Sequence, residues 1–574
     1  MKRFISIALA ALLIAPLLAA CAPSALQPGS VLNIALTDDF NSLNSDNVTS
    51  DASLLANEEV SKLVNPSFFF TDASGKLVAN ESFGSVEVLS ENPFKVRYSL
   101  TGTAKWSDGA SVSARDLMLS WLAARNPLDA GFNTVRAGSG LRFATQIPVI
   151  ASNGKSIDVT FERAVADWQT ALTITAAAHL VAKAAFSTDQ TDAALARFDQ
   201  AISSANLADQ KLLSEQYSRL YLARSSIAEA ARVSAGPYMV ESFEPNQSLN
   251  LKVNSSFSWG PAPRIERLVV KFFSDSTAML AAIQRGEVDI AAPQESGIAS
   301  NSDLIGLAKV AGARYEFAAS NSIEAILLNF GESSVFRDSD SDSGEGALLR
   351  DAFLKMVPRA KILAALSVDN PVIEARSWFY SNASSYYDPF VQSNGSSEHL
   401  IQAAERAQEI LEDSDLRTPI DLRVLFDSNN PRAKAEWALL NEYARAVGFN
   451  LIDVSSKQPR TIFTTGQFDV YITTVRLASE VGGDPYWFTG NSVSQFENAK
   501  IDGLLAKYAG ETKAINQISI LKDIDAELYA ANFGLPLYQL PSLLVYGNRV
   551  GSVVKAPYGA SATYGYWNWT LNQG

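Results

Sequence analysis

The sequence is poor in the residues that most often carry catalysis or bind metals. Its 574 residues include one cysteine and two histidines, His179 and His399, which lie in separate helical patterns. Two histidines are too few for a histidine-rich metal site and leave little scope for a histidine-based catalytic triad. The chain also lacks Gly-x-Ser-x-Gly, His-Glu-x-x-His and a glycine-rich phosphate loop. We expect no metal, no cofactor and no enzymatic activity, although 61 acidic residues leave carboxylate-pair catalysis open.

Positive charge is scarce as well. Lys and Arg number 47 against 61 Asp and Glu, the formal net charge is −14, and no run of basic residues occurs. Nucleic acids and anionic membrane surfaces need a concentrated basic face, so neither is expected as a partner. Beyond the N-terminus the most apolar stretch, residues 171–186, is short and is interrupted by His179 and Lys183. It predicts a buried or amphipathic helix, not a membrane span.

The N-terminus has the pattern of an export signal. Lys2 and Arg3 precede an apolar run over residues 4–18, and small residues then lead to Cys21, the only cysteine. This arrangement resembles a bacterial lipobox, which predicts a signal peptide over residues 1–20 and acylation of Cys21. The alternative is an ordinary signal peptide with an incidental cysteine. With acylation, residues 21–30 form a tether and the protein faces the extracytoplasmic side, at the cell surface or in the periplasm.

The length of the chain exceeds what one hydrophobic core normally supports, so we expect two or more lobes. Strand patterns of period 2 alternate with helical patterns along most of the sequence, which indicates an α/β fold. Residues 193–231 are rich in Ala, Leu, Gln and Glu and contain neither Gly nor Pro, which predicts a strongly helical region.

Residues 105–121 form the most specific stretch. A strand pattern over residues 94–100 leads into it, and Asp108-Gly109 is a turn pair. Ser113 and Asp116 have the spacing of a capping box, after which the apolar residues fall on one helical face. The stretch predicts a strand, a tight turn and a capped helix.

A second block runs from Gly236-Pro237-Tyr238 through Asn254 to Phe273. Asp275 or Ser276 is placed to cap a helix that ends at Gly286, and residues 287–290 follow as a short strand. The order predicts a strand, helix, strand crossover.

In residue type and spacing, these motifs resemble one known family. The matching residues are Trp106-Ser107-Asp108-Gly109, Val112, Ala114, Asp116-Leu117, Gly236-Pro237-Tyr238, Asn254 and Gly286-Glu287-Val288-Asp289-Ile290. They resemble the bacterial extracellular solute-binding proteins of family 5, the oligopeptide, dipeptide and nickel binders of ABC importers.

The resemblance implies a two-lobed, type II periplasmic-binding-protein-like fold. It implies a first lobe over residues 31–273 with an extra subdomain inserted at about 65–232, a second lobe over residues 274–530, and a return to the first lobe over residues 531–574. It also implies a hinge near residues 272–277, two crossing strands, and docking of the closed form on the importer's transmembrane subunits. A monomer is expected.

Asp484 is the leading candidate for ligand binding. It follows a strand pattern over residues 468–472 and two glycines, and it precedes Pro485, so it lies in a loop of the kind that commonly lines clefts. In the peptide-binding members of the resembled family, an Asp of a similar loop accepts the ammonium group of the ligand. The alternative is that Asp484-Pro485 only begins a turn.

Other candidates are aromatic or polar neighbours of the expected cleft. Their side chains offer stacking surface, a bidentate fork for a carboxylate, or a polar loop that borders the cleft in the resembled family. These residues are Tyr486, Trp487, Trp378, Tyr380, Arg376 and Asn41. Packing, surface exposure or turn chemistry would explain each of them equally well.

Together these patterns predict a lipid-anchored solute-binding protein of an ABC importer, with a di- or oligopeptide as ligand. Within the same class the alternatives are an oligosaccharide, a nickel chelate or haem. The alternative from a different class is a surface hydrolase or an interaction protein on the same fold.

Overall fold

The structure is a computed structural model that describes residues 26–572. The exceptions are residues 38–39, 48–52, 74, 126–129, 135–139, 294–305, 307, 310–311, 339–343, 367–372, 383, 385, 414–415, 478–494 and 558. In the described part of the chain, no helix has the length and apolar character to cross a bilayer.

Strands make up most of the framework. In chain order they are β1 Gln27–Thr37, β2 Phe69–Thr71, β3 Leu77–Ala79, β4 Gly84–Glu91, β5 Phe94–Leu100, β6 Val149–Ile150, β7 Ser156–Phe161, β8 Tyr238–Glu244, β9 Ser248–Val253, β10 Ile265–Phe273, β11 Ile290–Ala291, β12 Arg314–Leu328, β13 Ile373–Glu374, β14 Ile420–Leu425, β15 Phe449–Asp453, β16 Val470–Arg476, β17 Gly534–Tyr546, β18 Val550–Gly551 and β19 Thr570–Leu571.

Helices cover the strands. They are α1 Ser53–Val64, α2 Ala114–Arg125, α3 Ala178–Ala185, α4 Thr191–Ser203, α5 Leu207–Arg219, α6 Ser276–Gln284, α7 Glu345–Met356, α8 Arg359–Leu366, α9 Tyr387–Val391, α10 Ala404–Asp413, α11 Pro431–Val447, α12 Pro459–Thr465, α13 Ala499–Gly510 and α14 Ala514–Ala530. The region predicted to be strongly helical over residues 193–231 contains α4 and α5. The break lies at Asn206, whose side chain caps α5 by accepting from the backbone N–H groups of Ala208 and Asp209.

One large mixed sheet runs through the molecule in the order β15-β14-β16-β12-β17-β11-β1-β10-β9-β8, with β13 paired to β17. Parallel pairs such as β1 with β10 and β14 with β15 are joined through helical segments, as the crossover rule requires. A separate four-stranded sheet has the order β4-β5-β7-β6. The fold is therefore α/β, as the sequence predicts.

Two large cores lie on either side of the middle of this sheet. The first contains Leu32, Trp106 and Leu268, and the second contains Ile326, Phe353 and Leu537. Strand β17 passes from one core to the other, because Leu535, Leu537 and Leu540 pack in the second core while Leu544 and Tyr546 pack in the first. Strand β12 pairs with β17 along this course, from Arg314 to Leu327. The molecule thus has two lobes joined by two long antiparallel strands.

The segment after β10 differs from the predicted lobe boundary at residues 273–274. Helix α6 supplies Met279 and Leu280 to a third, smaller core that also contains Ala35 of β1 and Leu543 of β17. Strand β11 pairs with β1 through Ile34 and Ala35. In the structure this crossover packs on the first lobe, and the chain passes between the lobes in β12.

The region predicted as an inserted subdomain at about residues 65–232 contains the β2–β3 hairpin, the four-stranded sheet and helices α2 to α5. Its buried side chains, such as Tyr98, Leu117 and Phe198, belong to the same core as Leu32 and Leu268 of the large sheet. The region is thus packed continuously against the first lobe.

The stretch around Trp106 folds as predicted. Strand β5 precedes it, Gly109 has a φ of +92°, and α2 begins at Ala114. The Asp116 carboxylate accepts hydrogen bonds from the backbone N–H of Ser113 at 2.7 Å and from the backbone N–H of Ala178, the first residue of α3, at 2.8 Å. One buried carboxylate therefore caps two helices, and burial raises the pKa of Asp116 while these bonds lower it.

We expect Asp116→Ala to destabilise the first lobe by about 2 kcal/mol, since each lost cap costs ~1 kcal/mol. Asp116→Asn retains one acceptor oxygen and should cost about half as much. Urea denaturation of both variants against the wild type measures the difference. Equal stability of wild type and Asp116→Ala would show that the double cap contributes nothing.

Candidate functional site

The space between the two lobes is the candidate site, and one side chain spans it directly. Gln517 of α14, 8% exposed, donates from Nε2 to the backbone oxygen of Glu511 at 2.7 Å and to the backbone oxygen of Ala166 at 3.3 Å. Ala166 belongs to the loop after β7 of the first lobe, and its side chain packs against the second core. The Glu511 bond orients the amide, so that the other hydrogen reaches across to the opposite lobe.

The two crossing strands are irregular where they pass between the cores. Ala319 pairs with Pro541 and Ile323 pairs with Gln539, so that residues 320–322 face Leu540 alone. A bulge of this kind bends a strand and interrupts its regular ladder, which makes this place a natural position for a hinge. It lies about 45 residues after the predicted hinge near residues 272–277.

Gln539 holds this bulge in place. Its side chain, 3% exposed, donates from Nε2 to the backbone oxygen of Ser320 at 2.6 Å and accepts from the backbone N–H of Asn382 at 3.3 Å. On the other side of the strands, Ser542 accepts from the backbone N–H of Ala560 at 2.5 Å. The C-terminal segment and a loop of the second lobe thus both contact the crossing strands at the bulge.

Asn41 lies in the loop after β1. Its backbone N–H donates to Oδ1 of Asn57 at 3.0 Å, and Nδ2 of Asn57 donates to Oδ1 of Asn41 at 3.1 Å. Its backbone oxygen accepts from Ala223 at 2.8 Å. Asn41 therefore fixes the loop to α1 and to the segment after α5, and ligand contact by its side chain stays a prediction.

Arg376 is half-buried in the second lobe. Its guanidinium donates to the backbone oxygen of Val391 at 3.1 Å and to the hydroxyl of Ser396 at 3.2 Å. Its backbone N–H donates to the Tyr387 hydroxyl at 3.0 Å. These bonds tie the segment after β13 to α9, and a bidentate contact to a ligand carboxylate stays a prediction.

Trp378 and Tyr380 are 1% and 3% exposed and belong to the second core. The Trp378 ring packs edge-on against Phe533 with centroids 5.4 Å apart, and Tyr380 packs edge-on against Phe390 at 4.8 Å. Core packing is thus the contact that the structure gives them, which was one of the two readings open from the sequence. Ligand contact by either ring stays a prediction.

A buried carboxylate holds this aromatic segment. Asp525 of α14 is fully buried and accepts from the backbone N–H of Trp378 at 2.9 Å and from Nδ2 of Asn394 at 2.8 Å. Burial raises the pKa of Asp525 to about 6, against the lowering effect of these bonds. The same helix that carries Gln517 therefore also fixes Trp378.

Asp484, Tyr486, Trp487 and Cys21 lie outside the described residues. The strand predicted before Asp484 is present as β16, Val470–Arg476. It pairs with β12, one of the crossing strands, through Ser322 to Leu328. The last residue of β16, Arg476, pairs with Ser322, which lies in the bulge.

Nothing in the described ranges resembles a metal centre, since no three His, Cys, Asp or Glu side chains there are grouped to hold an ion. His179 pairs with Asp108 through Nε2 at 2.8 Å and packs against Trp106, in the motif that predicts the scaffold. His399 lies in the other lobe, against Tyr529. The two histidines thus lie in different lobes and have different partners.

Sequence reasoning did not find Gln517 or Gln539. Each sits within a regular helical or strand pattern, and an amide in such a pattern is ordinary. Their partners, Ala166 and Ser320, accept through backbone oxygens, which every residue has, so the sequence does not reveal these contacts.

Comparison with known proteins agrees with this architecture. The model of the bacterial extracellular solute-binding proteins, family 5 Middle, matches residues 84–500. An uncharacterized lipoprotein of Mycobacterium leprae is 23% identical, covering 99% of this chain and 98% of the relative. The oligopeptide-binding protein OppA of Mycobacterium bovis is 21% identical, covering 90% and 81%.

Among solved structures, a periplasmic EDTA-binding protein, EppA, superposes with a TM-score of 0.75 at 21% identity, covering 96% of this chain and 98% of its own. The predicted type II solute-binding fold is confirmed by this likeness and by the family match. Since that match covers well over half of the sequence, the chain belongs to the bacterial extracellular solute-binding proteins of family 5, which serve ABC importers.

Proposed function

We propose that this protein captures peptides between its two lobes and delivers them to the transmembrane subunits of an ABC importer, anchored to the membrane by acylated Cys21. The observation that carries the proposal is the pair of crossing strands with the bulge at residues 320–322, since two lobes joined in this way close about a ligand. The Asp-Pro loop at Asp484 and the relative named as an oligopeptide-binding protein support a peptide as ligand.

An ammonium group suits Asp484 for a physical reason. A carboxylate that accepts from a charged donor in a water-excluded cleft gives a stronger and more directional bond than it does in water. The net charge of −14 also favours ligands that carry a positive group. The proposal assigns no bond cleavage to the protein, so ligand and released product are the same molecule.

Thermal unfolding with defined ligands tests this function. Free-amine peptides of two to nine residues should raise the unfolding temperature without being cleaved, with about 2.7 kcal/mol of stabilisation at a hundredfold excess over Kd. The comparison ligands are EDTA, nickel–EDTA and a maltooligosaccharide. Stabilisation by a chelate or a sugar but by no peptide would show that the ligand is not a peptide. Cleavage of the peptides would show that the protein is a hydrolase.

Gln517→Glu is expected to weaken retention of a bound peptide about tenfold. A carboxylate cannot donate to the backbone oxygens of Ala166 and Glu511. It also places a negative charge against these two oxygens, which repel it, at the contact between the lobes. The matched control is Asn516→Ala, because Asn516 donates to the Glu511 side chain at 2.9 Å in the same helix turn. Dissociation rates measured by surface plasmon resonance should change for Gln517→Glu alone; equal rates in both variants would remove the bridging role.

A further inference from the structure

A group of charged and polar side chains is buried at the point where the crossing strands enter the second lobe. It consists of Glu324 on β12, Arg432 and Glu436 on α11, and Tyr538 on β17. Glu324, Glu436 and Tyr538 are each 1% exposed, and Arg432 is 7% exposed. Two carboxylates and one guanidinium are thus enclosed together.

Of the two carboxylates, Arg432 hydrogen-bonds to that of Glu324. Nη2 of Arg432 donates to Oε2 of Glu324 at 2.9 Å, and the Thr474 hydroxyl donates to the same oxygen at 3.0 Å. Glu436 lies farther from the cation, with Nε of Arg432 3.9 Å from its Oε1. Arg432 therefore neutralises Glu324 and leaves a second negative charge without an equal partner.

Glu436 has one good donor. The Tyr538 hydroxyl donates to its Oε1, while its Oε2 is buried and receives no hydrogen bond from any described group. An ionised carboxylate with an empty buried oxygen is costly, whereas a protonated one turns that oxygen into a donor. Glu324 and Glu436 lie against the same guanidinium, that of Arg432, so two acceptor groups are held side by side, and a proton on one of them supplies the donor that the pair otherwise lacks.

The surrounding charges also favour the protonated form of Glu436. The titratable and charged groups of the described chain that bear most on Glu436 are Glu324 from β12, Arg432 from its own helix and Tyr538 from β17. Burial, and then the negative charge of Glu324, hold the pKa of Glu436 well above its usual range.

The position of the pair matters for the hinge. Glu324 and Tyr538 are direct partners in the ladder of the crossing strands, one step beyond Ile323 and Gln539, where the bulge ends. From α11, Glu436 accepts from Tyr538 of β17 and lies beside Arg432, which binds Glu324 of β12. A proton in this place therefore bridges a helix of the second lobe to the strands that connect the lobes.

We propose that Glu324 and Glu436 share one proton in the folded protein, and that this proton fixes α11 to the crossing strands and is released as the medium becomes alkaline. The proposal is independent of the ligand. A carboxyl group whose folded pKa is raised contributes its stability fully below its unfolded pKa, and the contribution is lost as the pH rises toward the folded pKa.

The test compares the pH dependence of stability in the wild type and Glu436→Gln. Gln keeps an oxygen for the Tyr538 hydroxyl and an N–H donor for Glu324, but it does not titrate. From pH 5 to pH 9 the folding equilibrium constant of the wild type should fall at least tenfold relative to that of Glu436→Gln, measured by urea denaturation. Asp116 and Asp525 titrate in both proteins, so they cancel in the ratio.

Two further measurements make the result decisive. Glu324→Gln frees Arg432 to pair with Glu436, so this variant should also lose the alkaline decline. Infrared difference spectra of the wild type at pH 7 should contain a carboxylic acid C=O band that is absent in Glu436→Gln. Parallel pH profiles in the three proteins, or an infrared band unchanged in Glu436→Gln, would overturn the shared proton.

Discussion

Trp378→Ala should destabilise the second lobe by about 3–5 kcal/mol, the range for removal of a large aromatic side chain from a packed core. The ring is 1% exposed and packs edge-on against Phe533, which itself contacts Phe330 and Phe496. Its loss leaves a cavity that Asp525 prevents from collapsing, because the carboxylate holds the Trp378 backbone in place. Urea denaturation followed by circular dichroism measures the effect.

Trp378→Phe distinguishes packing from ligand contact. Phe fills most of the same volume and keeps the contact with Phe533, so it should cost less than half as much stability. If Trp378 also contacts the ligand, peptide affinity falls in Trp378→Phe while the fold remains intact. A loss of under 1 kcal/mol in Trp378→Ala would contradict the core role.

Asp484→Ala should weaken the binding of free-amine peptides by about 2–5 kcal/mol, the usual effect of removing one partner of a buried charge pair. N-acetylated peptides lack the ammonium group, so their affinity should change little. Isothermal titration with matched pairs of free and acetylated peptides measures both affinities. Because the prediction concerns a difference between two ligands of one variant, a general loss of folding does not imitate it.

Asp484→Asn serves as the matched control for shape. Asn keeps the Asp-Pro turn and a hydrogen-bond acceptor but removes the charge, so it should lose most of the preference for free-amine peptides. Equal losses for free and acetylated peptides in Asp484→Ala would remove the ammonium role and leave turn formation as the function of this residue.

Several elements were predictable because their signals are local. The turn at Gly109, the capping box of Ser113 and Asp116, and the C-terminal glycine of α6 at Gly286 each depend on residues a few positions apart. The α/β alternation and the family resemblance depend on the order of such local units. The break between α4 and α5 could not be located from the sequence because no Gly or Pro marks it, and only the side-chain cap of Asn206 accompanies it.

The lobe boundary was harder to predict for a physical reason. Helix α6 and strand β11 have the same local patterns whichever lobe they join, and only their packing against Ala35 and Leu543 assigns them to the first. Likewise, the bulge at residues 320–322 arises from a mismatch between two strands more than 200 residues apart. The pairing register between two distant strands cannot be read from the sequence of either strand alone.

By itself the sequence determined the α/β class, the family and the scaffold motif around Trp106, and it predicts an export signal with Cys21, because these depend on residue type and short spacing. Tertiary structure decided that Asp116 caps a second helix, that Trp378 packs against Phe533, that Gln517 bridges the lobes, and that Tyr538 donates to Glu436. Each of these is a contact between residues more than 60 positions apart, and such contacts exist only once the chain has folded.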